Sequence, residues 1–228
     1  MNVLNTETFH RTRPAVTTIM PVRNGEKFIG AALESLRAEI GPRDEILVVD
    51  DASTDASAEI ARAFSGPIRI FQETGVGCGA ARNRALREVN TPWITFLDAD
   101  DLAYLDRIFR LGQRMLADDR PELVYGGQCR FFNDIPTAKE IEEPLAMLAS
   151  TMLVEKQVFS RVGFFDPKLR IGEMIPWFTQ VQRLEIRVAA LPGPVIRRRQ
   201  HATNLSGSEA YRAACLTAMR TALAIRRG

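Results

Sequence analysis

Three carboxylates follow one short apolar run in this 228-residue chain. The segment FLDADD contains Asp98, Asp100 and Asp101 at the end of residues 93–97, with the small Ala99 between the first two. Carboxylates crowded this closely repel one another, which raises some of their pKa values unless a divalent cation neutralises them. Mg²⁺ and Mn²⁺ take oxygen ligands and bridge a carboxylate to a diphosphate. One Asp would suffice to cap a following helix, so three favour a metal and diphosphate site.

Two further polar segments carry candidate ligand-binding groups. In VVDDAS, a carboxylate at Asp50 or Asp51 can accept hydrogen bonds from a uracil-like base or a ribose, although a helix cap explains the segment equally well in isolation. In GVGCGAARN, Gly75, Gly77 and Ala80 have the G-x-G-x-x-A spacing of a dinucleotide fingerprint, which makes a dehydrogenase an alternative. That fingerprint normally occupies the first βα turn, whereas the first turn here is PVRNGEKF. We therefore expect the glycines to allow close backbone approach to another ligand.

The elements that must position these groups alternate between strand and helix. The predicted strands are residues 16–20, 46–49, 68–71, 93–97, 123–126 and 152–154. The predicted helices are residues 26–38, 57–64, 80–89, 104–117 and 155–162. We expect one α/β domain with a mostly parallel central sheet flanked by helices, and a surface loop over residues 132–144. Ligands of such sheets bind beyond the carboxyl ends of the strands, which is where the polar segments lie.

Composition excludes several classes of protein. With 228 residues and 46% apolar content, the chain is long enough for one buried core. Its 30 basic and 28 acidic residues nearly cancel, which argues against a nucleic-acid partner. Three widely spaced cysteines suggest neither a disulfide framework nor a zinc ribbon, so we expect a reducing cytoplasm. No run reaches the roughly 18 to 20 apolar residues of a bilayer span, so we expect no membrane-spanning segment. Peripheral contact with the inner face of the membrane stays open.

Three segments are expected along the chain. Residues 1–13 are predicted to be a flexible leader, residues 14–206 the domain, and residues 207–228 a C-terminal helix. That helix either packs on the domain or docks a partner, through a stripe at helical spacing. The stripe consists of Tyr211, Cys215, Met219, Ala222 and Leu223.

Four ordered segments resemble the family 2 glycosyltransferases of the GT-A fold. They are TTIMPVRNGEKFI, DEILVVDDASTDAS, GVGCGAARNRAL and ITFLDADD, and the likeness continues through VFSRVGFFDP. The resemblance implies a Rossmann-like GT-A domain that moves a sugar from a nucleoside diphosphate sugar, by default a UDP-sugar, to an acceptor hydroxyl with inversion. It also implies Mn²⁺ or Mg²⁺ as cofactor. The implied acceptor is a glycan, a lipid-linked molecule or a natural product.

The resemblance assigns the donor and metal residues. The implied contacts to the nucleotide sugar are Pro21, Asn24, Glu26, Asp51, Arg82, Asp98 and Asp100. The implied metal ligands are Asp100, Asp101 and His201. His201 belongs to IRRRQHATNLS, which would close over the donor phosphates, whereas an arginine run by itself is usually a solvated face. An imidazole ligand favours Mn²⁺ over Mg²⁺.

The acceptor side departs from the family pattern. Family members usually carry a Glu-Asp pair there, with one carboxylate acting as general base, but this chain has Glu173 followed by Met174. Glu173 is the nearest candidate base. Trp177 belongs either to an apolar wall for a sugar ring or to the core. The missing Asp leaves open a catalytically silent nucleotide-sugar-binding or assembly protein, and a related nucleotidyltransferase would instead release pyrophosphate.

Overall fold

The computed structural model describes residues 3–132, 141–143, 145, 147–201 and 209–227. The strands are β1 (Val16–Val22), β2 (Glu45–Asp51), β3 (Ile68–Glu73), β4 (Trp93–Phe96), β5 (Leu102–Ala103), β6 (Leu123–Phe132), β7 (Ile141–Glu143), β8 (Met152–Glu155) and β9 (Val188–Gln200). The helices are α1 (Val3–Thr12), α2 (Ile29–Arg37), α3 (Ser57–Ala63), α4 (Cys78–Leu86), α5 (Arg107–Met115), α6 (Lys156–Val162), α7 (Met174–Arg183) and α8 (Glu209–Arg227), with a 3₁₀ turn over Ala149–Thr151.

The strands of the described ranges form one mixed sheet in the order β3-β2-β1-β4-β8-β6-β9-β5, with β7 paired to β6. Strands β3, β2, β1 and β4 are parallel, whereas β8 is antiparallel to both of its neighbours. The chain moves outward from β1 to β3 and then returns to the other side of β1 to form β4. Strand order therefore reverses between β1 and β4, and this is where ligands of open α/β sheets bind. The predicted α/β domain with a central sheet flanked by helices is confirmed. The sheet is mixed and not mostly parallel, because β5, β7 and β8 are antiparallel to the strands that they pair with.

Apolar side chains fill both faces of the sheet. Strands β1, β2 and β4 are almost entirely buried, as expected of parallel strands that helices cover on both sides. One core lies between the sheet and α2, α3 and α5, and it includes Ile29, Leu33 and Leu36 of α2. The other lies between the sheet and α4, α6 and α7. The helical spacing read from the sequence of α2 thus identifies its buried face.

Helix α1 stands where a flexible leader was predicted. The ring of Phe9 lies 4.9 Å from that of Phe109 in an edge-to-face contact. Just beyond the helix, buried Arg13 pairs with Asp44 at 2.5 Å, and the same carboxylate accepts the backbone N–H of Val16 at 2.8 Å. These contacts join the end of α1 to the domain, while the division of the chain into leader, domain and C-terminal helix stays a prediction.

Strand β9 and helix α7 were not predicted from the sequence.

The predicted surface loop over residues 132–144 is described only in part. Residues 133–140 and 144 lie outside the described residues, and Ile141–Glu143 forms β7. Among the described residues, no helix combines the length and the apolar character that a bilayer crossing requires.

Helix α8 packs against α7. Ala218 and Ala222 are buried, and a Cβ built on Gly172 would lie only 3.1 Å from that of Ala218. The helix therefore covers the segment that leads into α7. The side chains of Met219 and Leu223, which belong to the predicted stripe, are instead about half exposed. One face of the helix therefore packs on the domain. Docking of a partner on the other face stays a prediction.

Candidate functional site

A cavity of about 1110 Å³ opens beyond the carboxyl ends of β1, β2 and β4. It exceeds the roughly 300 to 1,000 Å³ of most small-molecule sites, so it has room for more than one ligand. Nine of the ten predicted site residues line it, and Glu26 does not. The nine are Pro21, Asn24, Asp51, Arg82, Asp98, Asp100, Asp101, Glu173 and His201.

The loops after β1 and β2 hold each other in position. The side-chain oxygen of Asn24 accepts the backbone N–H of Thr54 at 2.9 Å. Glu26 accepts the N–H of Ala56, the residue that precedes the first residue of α3, at 3.1 Å. Glu26 therefore caps a helix outside the cavity, because carboxylates stabilise free N–H groups at a helix start. This position differs from the predicted contact with the donor.

Asp51 accepts hydrogen bonds from the backbone of the glycine-rich loop. Its two carboxylate oxygens accept the backbone N–H groups of Val76 at 2.7 Å and Gly77 at 2.8 Å. Gly75 and Gly77 have φ values of +84° and +95°, which favour glycine. A Cβ on Gly77 would also lie 3.2 Å from the Cα of Arg170. The glycines thus serve a tight, closely packed turn after the third strand, and each Asp51 oxygen keeps a second lone pair for a ligand.

The acidic segment after β4 combines buried and exposed carboxylates. The side chain of Asp98 is 40% exposed, whereas Asp101 is only 3% exposed. Burial raises the pKa of Asp101 well above its ordinary value, and the charges of Asp100 and Asp98 raise it further. Burial, followed by the charge of Asp98, also raises the pKa of Asp100. Mutual repulsion of this kind gives a site that attracts positive charge.

The end of β9 lies against this acidic segment. The backbone N–H of Arg199 donates to Asp101 at 3.0 Å, and its side-chain Nε donates to the carbonyl oxygen of Asp100 at 3.0 Å. His201 Nε2 lies 3.1 Å from Oδ2 of Asp100, and its ring packs on Phe28 with centroids 4.5 Å apart. Arg199 is 5% exposed, so the interpretation of the arginine run as a solvated face is wrong at this residue.

Asp100 and His201 are two neighbouring groups that could hold a divalent cation. A carboxylate and an imidazole side by side suit Mn²⁺. Asp101, predicted as a third ligand, instead bonds to the backbone of Arg199. Within the described ranges, no group of three or more His, Cys, Asp or Glu side chains is arranged to hold a metal ion. A cation here would therefore take its remaining ligands from a bound phosphate and from water, as Mg²⁺ commonly does.

The predicted base, Glu173, lies in the cavity wall and forms an ion pair with an arginine side chain. Arg82 of α4 donates through Nη1 to Glu173 Oε1 and through Nη2 to Asp98 Oδ1, the latter at 2.6 Å. Arg82 and Glu173 are 4% and 5% exposed. Met174, in place of the family's second carboxylate, also lines the cavity. Glu173 is thus the carboxylate that faces the cavity from the start of α7.

Trp177 belongs to the core. It is 3% exposed, its Nε1 donates to the carbonyl oxygen of Gly163 at 2.9 Å, and its ring lies 5.0 Å from that of Phe159. The hypothesis of a sugar-binding wall is therefore wrong for this side chain. Ile175 and Phe178 of the same helix line the cavity instead.

The contribution of α8 to the cavity wall was not predicted from the sequence. Tyr211 and Cys215 line the cavity from above α7. Both belong to the predicted apolar stripe, so their helical spacing was visible, but nothing local linked them to Glu173. The turn of residues 147–150, which lines the cavity from the β8 side, lies in a segment without any recognised motif.

Comparisons with known proteins agree with these features. A sequence model described as glycosyl transferase family 2 matches residues 17–172. The succinoglycan biosynthesis protein ExoO of Rhizobium meliloti is 31% identical over 185 residues, which cover 70% of this chain and 53% of that protein. An uncharacterized glycosyltransferase of Rickettsia typhi is 27% identical over 175 residues, covering 69% of this chain and 55% of the relative. The chain therefore spans about half the length of these relatives.

Solved structures share the fold. The mannosyltransferase PcManGT of Pyrobaculum calidifontis, in complex with GDP-Man and Mn²⁺, superposes with a TM-score of 0.72 at 21% identity and covers 96% of this chain and 66% of its own. TarS of S. aureus, residues 1–349 in complex with UDP-GlcNAc, also has a TM-score of 0.72, at 18% identity over 88% of this chain and 64% of its own.

Replacement of Asp51 tests its part in the loop. In Asp51→Asn, one acceptor oxygen becomes an NH₂ group that faces a backbone N–H. We expect the free energy of unfolding in urea to fall by about 1–3 kcal/mol, the cost of an unsatisfied buried group. The exposed Asp118→Asn is the control and should stay within about 0.5 kcal/mol of the parent protein. An Asp51→Asn protein as stable as the control would contradict the assignment.

Proposed function

The chain belongs to glycosyl transferase family 2, and we propose that it moves a sugar from a nucleoside diphosphate sugar to an acceptor hydroxyl. The observation that carries the proposal is the convergence of Asp51, Asp98, Asp100 and Glu173 on one cavity from three separate parts of the fold, namely the end of β2, the segment after β4 and the start of α7. Three of these carboxylates follow strands at the switch point of the sheet, where nucleotides bind in such folds. The fourth faces them across the cavity.

The proposed donor occupies the half of the cavity between β1, β2 and β4. Asp51 and Asp98 offer acceptor oxygens to a base and a ribose, and Asn24 and Pro21 line the same wall. A UDP-sugar is the first donor to test. Support comes from proteins of the same fold, since TarS was solved with UDP-GlcNAc and PcManGT with GDP-Man.

The proposed chemistry is a direct displacement at the anomeric carbon. Glu173 accepts the proton of the acceptor hydroxyl, because a carboxylate in the cavity wall can come within hydrogen-bond reach of a bound alcohol. The acceptor oxygen forms its bond to the anomeric carbon as the bond to the diphosphate breaks, and the electron pair leaves with the diphosphate. Attack from the face opposite the leaving group inverts the configuration of the sugar.

The acidic segment supports a divalent cation in this scheme. Asp100 and His201 would hold Mn²⁺ or Mg²⁺, and the bound ion would supply positive charge to the diphosphate. Asp101 orients the end of β9 through the backbone of Arg199, and so keeps His201 beside Asp100.

Glu173→Gln tests the base. The amide keeps the size of the side chain but cannot take a proton, so kcat should fall by about 100-fold or more. Donor affinity, measured from the concentration dependence of the melting temperature, should change little. Asp166→Asn, a carboxylate substitution outside the cavity, is the control. A Glu173→Gln protein that retains the parent kcat would exclude Glu173 as the base.

Asp100→Asn tests the cation site. Loss of the carboxylate charge should weaken Mn²⁺ binding, measured by electron paramagnetic resonance of the free ion, and should reduce turnover to background. Asp118→Asn, which changes an exposed Asp outside the cavity, should bind Mn²⁺ as the parent protein does. Unchanged Mn²⁺ affinity in Asp100→Asn would remove this residue from the proposed ligands.

A catalytically silent nucleotide-sugar-binding protein is the second candidate. The observations that favour it are the ion pair that holds Glu173 Oε1 against Arg82 and the presence of Met174 in place of the family's second carboxylate. Such a protein would melt at a higher temperature with a donor, and the parent protein and Glu173→Gln would release equally little nucleoside diphosphate.

A further inference from the structure

Arg82 is shared between two carboxylates in the cavity wall. It lies on α4, is 4% exposed, and donates to Asp98 at 2.6 Å with one terminal nitrogen and to Glu173 with the other. A planar guanidinium can hold two acceptors in fixed directions at once. One cation thereby connects the donor side of the cavity to the proposed base.

The two carboxylates depend on Arg82 to different degrees. The side chain of Asp98 is 40% exposed, whereas that of Glu173 is 7% exposed. Water or a donor hydroxyl can take the place of Arg82 at Asp98. Removal of Arg82 would instead leave the charge of Glu173 buried without its ion-pair partner, which is strongly unfavourable.

Two glycines bring Glu173 within reach of Arg82. A Cβ on Gly79 would lie 3.0 Å from the Cγ of Glu173, so a larger residue at this position of α4 would push the carboxylate away. Gly172 has a φ of +80°, and a Cβ there would meet Ala218 of α8 at 3.1 Å. The backbone on both sides of the contact is therefore arranged around the pair of Arg82 and Glu173.

We propose that Arg82 is the positioning residue of Glu173, in place of the donor contact that the sequence predicted for it. Its guanidinium holds one oxygen of the carboxylate and so fixes the direction in which the second oxygen meets the acceptor hydroxyl. This inference rests on the proposed function, because it concerns the base of that reaction. Through Asp98, the same guanidinium also lies next to the proposed donor.

Kinetics of Arg82→Met and Arg82→Lys test the inference. A mispositioned base should lower kcat of Arg82→Met by about 100-fold while donor affinity is retained. Arg82→Lys keeps the charge but not the fork of hydrogen-bond donors, so its kcat should lie between that of the parent protein and that of Arg82→Met. Arg84→Met, on the same helix but outside the cavity, is the control. If Arg82→Met or Arg82→Lys loses donor affinity and keeps kcat, Arg82 is a donor contact and the inference is wrong.

The energetic coupling between Arg82 and Glu173 gives a readout that needs no turnover. It is obtained from the free energies of unfolding in urea of Arg82→Met, Glu173→Gln and the double variant. Each single substitution leaves the other side chain buried without its partner, so the double variant should be destabilised by less than the sum of the two single effects.

The two readouts separate the inference from the proposed function. A protein that binds donors but never transfers sugar contradicts the proposed function, while a non-additive effect of the two substitutions still supports the pairing of Arg82 with Glu173. Additive effects on the free energy of unfolding contradict the inference whether or not the protein is active. If Arg82→Met does not fold, Arg82→Lys gives the same comparison, because it retains a cation in the buried position.

Discussion

A carboxylate that is removed from water needs hydrogen-bond donors or a cation opposite it, and this requirement determines the arrangement of the cavity. Asp51 meets it with the backbone N–H groups of the glycine-rich loop. Asp101 meets it with the backbone of β9, and Glu173 meets it with Arg82. Each acidic side chain therefore binds a different element, so the loop, the last strand and α4 are all attached to the rim of the same cavity.

The partners of Asp100 leave room for a ligand at its carboxylate. Its side chain is 34% exposed, it lies beside His201, and burial and Asp98 raise its pKa. A cation and a diphosphate would add opposite charges to this position together. The protein groups that surround it thus stabilise the segment without occupying the space that the proposed donor needs, and the base stands apart from this charge on α7.

The parts of the fold that could be predicted are those with local patterns. The apolar runs of β1, β2 and β4, the spacing on α2 and the polar strand ends identify the sheet edge and its carboxylates. The resemblance to the family added the other site residues, and nine of the ten predicted residues line the cavity. Strand β9 was missed because Pro192, Gly193 and Pro194 interrupt its strand-like pattern, and the structure accommodates them with a register irregularity against β6. Helix α7 was missed for a related reason, since Pro176 lies within its first turn, where proline is tolerated.

The roles of individual side chains were harder to predict, because they depend on partners distant in sequence. Glu26 caps α3, Asp101 binds Arg199 and Trp177 joins the core through contacts that no spacing reveals. The ion pair of Arg82 with Glu173 spans 91 positions and could be found only in three dimensions.

The most direct test of the central claim is the release of nucleoside diphosphate from UDP-, GDP- and dTDP-sugars by the parent protein in the presence of Mn²⁺. We expect one donor to be consumed over many turnovers, and omission of Mn²⁺ to stop its consumption. Binding of a donor without release of nucleoside diphosphate from any of the three would contradict the claim that this cavity is the active site of a transferase.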